Sequence, residues 1–481
     1  MSADNSQVGD RRVVVLERQP AHPAGPGGVI GSTAIARAPA MPQRRGGILS
    51  WALFDYARTI FSYSVLVVNF SLWVTQDHKA PLIVYSLATS AALAIMVILS
   101  PALGVLSDKA GRRLPFLLGV TGLMVGAATL LAFTTNLLVG LVLFSIATVG
   151  YQSTQVFYDA LLGSITTEEK RGRISGLGMA CGYLGTISWG LITVLYLSRA
   201  ITHTGHSAAF LPTAIVVALC ALPCFLFVKE RPPASSSPIT RADITASFAQ
   251  VLRSIHKVRR GQHNLARFLV ARLLYADAAN TVVSFMAVYS VVVVHLTKRE
   301  VNIFLPSAAT FAVVGALTFG RLADRFGPKR MLNVILALWF VAMTWAALVP
   351  TGTVHLGDLA FPAKALFYAV GPLAGLALGG MRACDRTFLL RVTPPAMIGE
   401  AFGLFGLVGD VAAIVGPLIL GLVTFLFLTL RQEMLGYRVA ILALVGLLCA
   451  GWILLRRTSD RVARYEPGES VAQPLLAKDA V

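Results

Sequence analysis

Charged side chains stand where an apolar chain should hold none. Asp55 and Arg58 interrupt the run from Leu53 to Ser62; Gln152, Gln155 and Asp159 interrupt another. Arg272, Asp277 and Asn280 lie inside a third run, and Arg382, Asp385 and Arg386 inside a fourth. A charge near a bilayer centre costs about 3 kcal/mol or more, so these groups need partners or water. On a helix, Asp55 and Arg58 are three apart and share a face. An ion pair makes them mutually tolerable, yet two apolar residues would be cheaper still. A solvated cavity accounts for the retained polarity. Within it, guanidinium groups bind carboxylate or phosphate in bidentate fashion at any working pH. Arg58, Arg382 and Arg386 therefore point to an anionic or carboxylate-bearing solute; the alternative is that Asp55, Asp277 and Asp385 neutralise them pairwise. A carboxylate can also carry a proton. Asp277 has no basic residue within one helical turn and is the expected carrier, whereas Asp55 and Asp385 stay ionised beside their arginines. Asp410, in another apolar run, reads as a packing or gate partner.

The elements that position these residues are membrane helices. Of 481 residues, 56% are hydrophobic and 13% charged, with mean hydropathy +0.71, well outside the range of soluble domains. Twelve stretches are long and apolar enough to span: 49–75, 81–106, 114–134, 136–160, 174–198, 208–228, 267–295, 302–322, 331–350, 364–388, 401–427 and 438–455. The polar residues above, Asp410 of span eleven apart, fall on spans one, four, seven and ten. Glycines at Gly178 and Gly182, and at Gly371, Gly375 and Gly379, are four apart and read as close helix contacts.

The fold expected is an all-α membrane protein with two parallel six-helix halves. Residues 1–47 read as a disordered cytosolic tail, 48–228 as the first bundle, 229–263 as a linker, 264–457 as the second bundle and 458–481 as a cytosolic tail. "DYARTIFS" from Asp55 returns as "DAANTVVS" from Asp277, and "GVLSDKAGRR" from Gly104 returns as "GRLADRFGPKR" from Gly320. Two markers repeated in order indicate a parallel repeat, with a pathway at its interface. In the linker, Ile244, Phe248, Leu252, Ile255 and Val258 at helical spacing beside Arg253, Lys257, Arg259 and Arg260 read as a basic amphipathic helix.

With 41 Lys and Arg against 23 Asp and Glu, the net charge is +18. The basic residues gather in the tails and in the loops of one side, the positive-inside pattern, so nucleic acid is not needed to explain them. The five cysteines fall inside spans and the histidines are scattered; neither a disulfide framework nor a metal site is expected. No cofactor is implied. The repeated loop motif, Gly104, Asp108, Gly111 and Arg112 with its copy Gly320, Asp324 and Gly327, needs glycine for tight reversal and an acid that can accept from a helix N-terminus or pair with Arg112.

Those loop motifs resemble the signature of the major facilitator superfamily. "SWALFDYA", "FYDALLGSITTEEKRGRISGLGMACGYLG", "ARLLYADAANT" and "DRTFLLRVTPPAMIGEAFGLFG" further resemble the autophagy-related vacuolar effluxer family and its bacterial "unknown major facilitator" relatives. The resemblance implies a cavity lined by spans one, four, seven and ten, a gate latch at Asp108 and Asp324, and transport, with amino-acid efflux in that family. Where the family commonly has Asn and Gln, this chain has Arg58 and Arg382. The expectation is a secondary-active transporter of a small polar solute, with protons as a coupling partner, in a cell membrane with both termini cytosolic; a vacuolar membrane is the alternative. A phosphate-cradling Lys motif is absent from the sequence, so ATP-driven transport is not expected. A solute sensor on a transporter scaffold is the second reading, and catalysis is not expected because no nucleophile–base pair is evident.

Overall fold

A computed structural model of the chain describes residues 45–197, 201, 205–230, 262–350, 353–356, 359–394 and 397–460. The expected tails and amphipathic linker helix lie outside these residues, except for their edges. The described residues build twelve long helices. In the first half these are α1 (Arg45–Asp77), α2 (Leu82–Ala110), α3 (Leu114–Phe133), α4 (Leu137–Ile165), α5 (Arg171–Ile192, continued by Thr193–Leu197) and α6 (Phe210–Phe227). In the second they are α7 (His263–Val292), α8 (Lys298–Phe326), α9 (Pro328–Leu348), α10 (Val370–Val392, preceded by Ala363–Tyr368), α11 (Ile398–Thr429) and α12 (Glu433–Arg456). Nine helices among the described residues are long and apolar enough to cross a membrane. A short hairpin, β1 (Thr353–Leu356) with β2 (Leu359–Pro362), joins α9 to α10.

Several helices run past the apolar windows at their charged ends, because caps rather than hydropathy set their limits. α2 continues through Asp108 and stops at Gly111, whose φ of +65° only glycine adopts freely and whose N–H bonds back to Ser107 and Asp108 carbonyls. α8 starts on a Thr297/Glu300 capping box. α4 starts on Asn136, whose side chain accepts from Leu138 and Val139 N–H.

Each half repeats the other's packing. α1 packs on α5 and α6 as α7 packs on α11 and α12; α4 packs on α2 and α3 as α10 packs on α8 and α9. Between the halves, α2 packs along α11 and α5 along α8. α1 and α4 thus face α7 and α10 across the centre. We call the side bearing the α2–α3, α4–α5, α8–α9 and α10–α11 loops the basic face.

The far half of α1 is wound loosely. Over Ser62–Asn69 and Trp73–Asp77 it forms π turns, in which a backbone N–H reaches five residues back. Side chains take carbonyls there: Asn69 donates to Ser64 C=O at 2.9 Å and Tyr85 to Leu66 C=O at 2.7 Å.

Candidate functional site between the two halves

The central polar residues form a connected network. Arg58 lies 3.5 Å from Asp55, donates to Gln155 Oε1 at 3.0 Å, and sits over the Tyr151 ring. Gln155 donates to Asp159 Oδ2 at 3.1 Å, and Asp159 Oδ1 accepts from Arg386 Nη1 at 2.8 Å. Arg386 also donates to the Ser175 carbonyl of α5 at 3.0 Å. Asp55, Asp159 and Arg386 are at most 3% exposed. Helical spacing makes this chain of contacts: Gln152, Gln155 and Asp159 at i, i+3 and i+7 share one face of α4. The Asp159–Arg386 pair joins the halves.

Within the second half, Arg272 pairs with Asp385 at 3.4 Å, lies on the Phe405 ring and donates to the Phe405 carbonyl at 2.8 Å. Tyr275 donates to Asp385 Oδ1 at 2.6 Å. Asp410 accepts from Gln152 at 3.0 Å, a further contact across the halves. Asp277 accepts the Gly416 N–H of α11 at 2.8 Å.

The three arginines do not share one role. Arg58 and Arg386 are buried against Asp55 and Asp159, while Arg382 is exposed and, among the described residues, has Asn280 as its hydrogen-bond partner, at a weak 3.4 Å. Arg58 pairs with Asp55, Arg386 with Asp159 and Arg272 with Asp385; the last two pairings are not ones the sequence suggested. Among the described residues of this centre, Arg382 is the guanidinium without a carboxylate partner.

At the basic face the loop motifs lock the halves together. Asp108 accepts Gly399 and Glu400 N–H, both at 2.8 Å, at the start of α11; Asp324 accepts Gly172 and Arg173 N–H at 2.6 and 2.8 Å, at the start of α5. Each half thus caps the other half's fifth helix. Arg112 is exposed, and the basic partner of Asp108 is the next residue, Arg113, at 2.9 Å. A residue at the loop turn points to solvent, whereas Arg113, at the α3 N-cap, turns back onto the α2 end. Gly104 and Gly320 also depart from expectation. They lie inside helices, not at reversals, and a Cβ on either would strike the facing Gly399 or Gly172 carbonyl. Gly111 and Gly327 do occupy positive φ.

The other repeated motif is a seam within each half. Thr59, four after Asp55, donates to the Gly182 carbonyl at 2.6 Å, and a Cβ on Gly182 would crowd Asp55; a Cβ on Gly416 would run into Thr281 and Asp277. Gly178 packs on Trp51, and Gly371, Gly375 and Gly379 pack on α8. Sequence reasoning missed Arg113, Tyr275, the donating amides at Gly172 and Gly399, and Glu230, which accepts from Arg113 and Leu114 N–H to cap α3. The acid-plus-helix-start pattern was visible, but which helix an acid caps is a tertiary fact.

The model of the Major Facilitator Superfamily matches residues 56–417 and 268–478. The uncharacterized MFS-type transporter YxiO of Bacillus subtilis is 24% identical over 432 residues, covering 85% of this chain and 95% of that protein. Autophagy-related protein 22 of Kluyveromyces lactis is 23% identical over 292 residues, 57% of this chain and 58% of that protein. Among solved structures, the human organic anion transporter MFSD10 superposes with a TM-score of 0.67 at 16% identity, covering 86% of this chain and all of that one. The E. coli fucose:proton symporter FucP superposes with a TM-score of 0.63 at 15% identity. The fold, the repeated halves and the family match agree: the chain belongs to the Major Facilitator Superfamily, a multi-pass membrane protein built for membrane transport.

Proposed function

We propose that the chain is a secondary-active transporter moving a small polar solute with a carboxylate or similar anionic group by alternating access, and that its conformation here is closed at the basic face. The observation that carries the reading is Arg382: an exposed guanidinium, midway along α10, in a centre where the neighbouring arginines are neutralised. A planar fork with a free face is suited to an oxyanion. Asn280 stands beside it as a second polar contact, and the half-buried Gln152 and Gln155 of α4 supply further polar groups in the centre. Asp55, Arg58, Asp159 and Arg386 hold the helices beneath. The Lys/Arg bias supports a cytosolic basic face, which makes the conformation outward-facing in this reading, with Asp108 and Asp324 as the latch on the inner side. The bacterial relative favours the cytoplasmic membrane as the location. The test is counterflow in proteoliposomes with amino acids, dicarboxylates, organic phosphates and neutral sugars. Exchange of an anion-bearing class, lost in Arg382→Gln, supports the proposal; exchange untouched by Arg382→Gln removes the anion anchor. Binding without exchange across the panel favours a sensor on a transporter scaffold.

A further inference from the structure

Alternating access requires the basic face to open, and a buried ion pair is among the contacts that must part besides the two latches. Arg386 lies six residues from the basic end of α10, and Asp159 six residues from the basic end of α4. Both are therefore about 9 Å deep at 1.5 Å per residue. Their 2.8 Å ion pair is the charged contact between the halves at that depth, and it must part when α10 leaves α4.

Parting leaves unequal halves. The second half keeps Arg272, Arg382 and Arg386 against Asp277, Asp385 and Asp410, and is neutral. The first half keeps Asp55 and Asp159 against Arg58, one negative charge in excess. Asp55 already has an unmet need: its Oδ2 is buried without a hydrogen-bond partner. The hydroxyl of Tyr158, which faces both carboxylates, is likewise buried and unpartnered. Among the described residues, the other cations facing Asp159 are already paired, Arg58 with Asp55 and Arg272 with Asp385. From α4, Asp159 faces Gln155 and Tyr158; from α1, Asp55 and Arg58; from α7, Arg272, which is held by Asp385. From α5, Asp55 faces Cys181 and Tyr183, and from α6 Cys224 faces Tyr158. All three are neutral groups.

We infer that the Asp55–Asp159 pair of the first half is a proton-binding site that takes up one proton as Arg386 withdraws, coupling basic-face opening to protonation. This moves the coupling role away from Asp277. The Gly416 partner of Asp277 belongs to the same half, so rocking leaves that contact intact; Asp159 loses its cation. The inference rests on the alternating-access reading above, but its readout is conformational and independent of solute flux.

The experiment places nitroxides on genetically encoded residues at Lys170 and Arg325, exposed positions beside the α5–α8 seam on opposite halves. The interlabel distance is measured in nanodiscs from about pH 8 to about pH 5, in potassium and in sodium buffer. Because the open state holds one proton more, acid favours it, and the open-to-closed ratio rises up to tenfold per pH unit. Asp159→Asn gives a long distance that no longer depends on pH, and Asp159→Glu restores the slope. A distance distribution flat with pH in the wild type overturns the inference, as does a slope that persists in Asp55→Asn/Asp159→Asn or one that requires sodium. Since the wild-type titration stands alone, a variant that fails to fold does not shelter the proposal. Flux without a pH-dependent distance would leave the transporter intact and this inference refuted.

Discussion

Removing the Asp108 carboxylate separates a latch from an ordinary helix cap. Asp108→Ala deletes two hydrogen bonds at 2.8 Å to the first amides of α11 and a 2.9 Å contact with half-buried Arg113. In the opened state those amides meet water, so each bond contributes a net of about 1–1.5 kcal/mol, while the Arg113 pair, partly solvated, adds at most about 0.5 kcal/mol. The closed state thus loses about 2–3.5 kcal/mol relative to the open one, a shift of about 30- to 400-fold in their ratio. Amide hydrogen exchange read by mass spectrometry reports this directly. In Asp108→Ala, the peptide around Ile398–Phe402 exchanges faster by that factor. Because rigid halves part together, the peptide around Arg171–Ser175, which Asp324 caps, accelerates as well. Acceleration confined to the α11 start, with α5 unchanged, would show that Asp108 is a local cap and would refute the latch.

Three further perturbations test the packing and the division of labour among the arginines. Arg386→Gln leaves Asp159 buried without its cation and costs about 3–5 kcal/mol, seen as a large fall in melting temperature of the purified protein. Arg382→Gln, at an exposed side chain, stays within about 0.5 kcal/mol of wild type. Gly379→Ala drives a methyl into the Ala312 carbonyl of α8 and destabilises by about 1–3 kcal/mol, whereas Gly126→Ala, with no atom within 4 Å of the new methyl, is neutral or gains up to about 1 kcal/mol; thermal unfolding compares the two. Asn69→Leu strips the Ser64 carbonyl of its side-chain donor in the π-wound part of α1 and costs about 1–3 kcal/mol, with loss of protection confined to Ser62–Asn69 in hydrogen exchange.

What the chain's sequence reveals is set by which interactions are local. The helices announce themselves through apolar length, and the two halves through paired motifs whose period survives in the packing. Gly111 and Gly327 were readable because positive φ is a property of one residue. Asp55 with Arg58 was readable because three residues on a helix fix a shared face. The Arg386–Asp159 pair was not, since 227 residues separate its members and only the approach of α10 to α4 selects it over the nearer Asp385. The same holds for Arg113: Arg112 and Arg113 are indistinguishable until the α3 cap turns one outward and one back. The glycines at Gly104 and Gly320 look like loop glycines in the motif, yet their use is to let backbones of opposite halves touch.

The central claim is that a solute crosses through a centre that cannot open on both sides at once. It is tested most directly by counterflow in proteoliposomes with a cleavable cross-link between residues introduced at 170 and 325, tying the basic face shut. The account predicts exchange of an anion-bearing solute in the untied protein, its arrest when the link forms, and its return when the link is cleaved. Exchange that continues with the basic face tied, or solute binding with no exchange in either form, would contradict it.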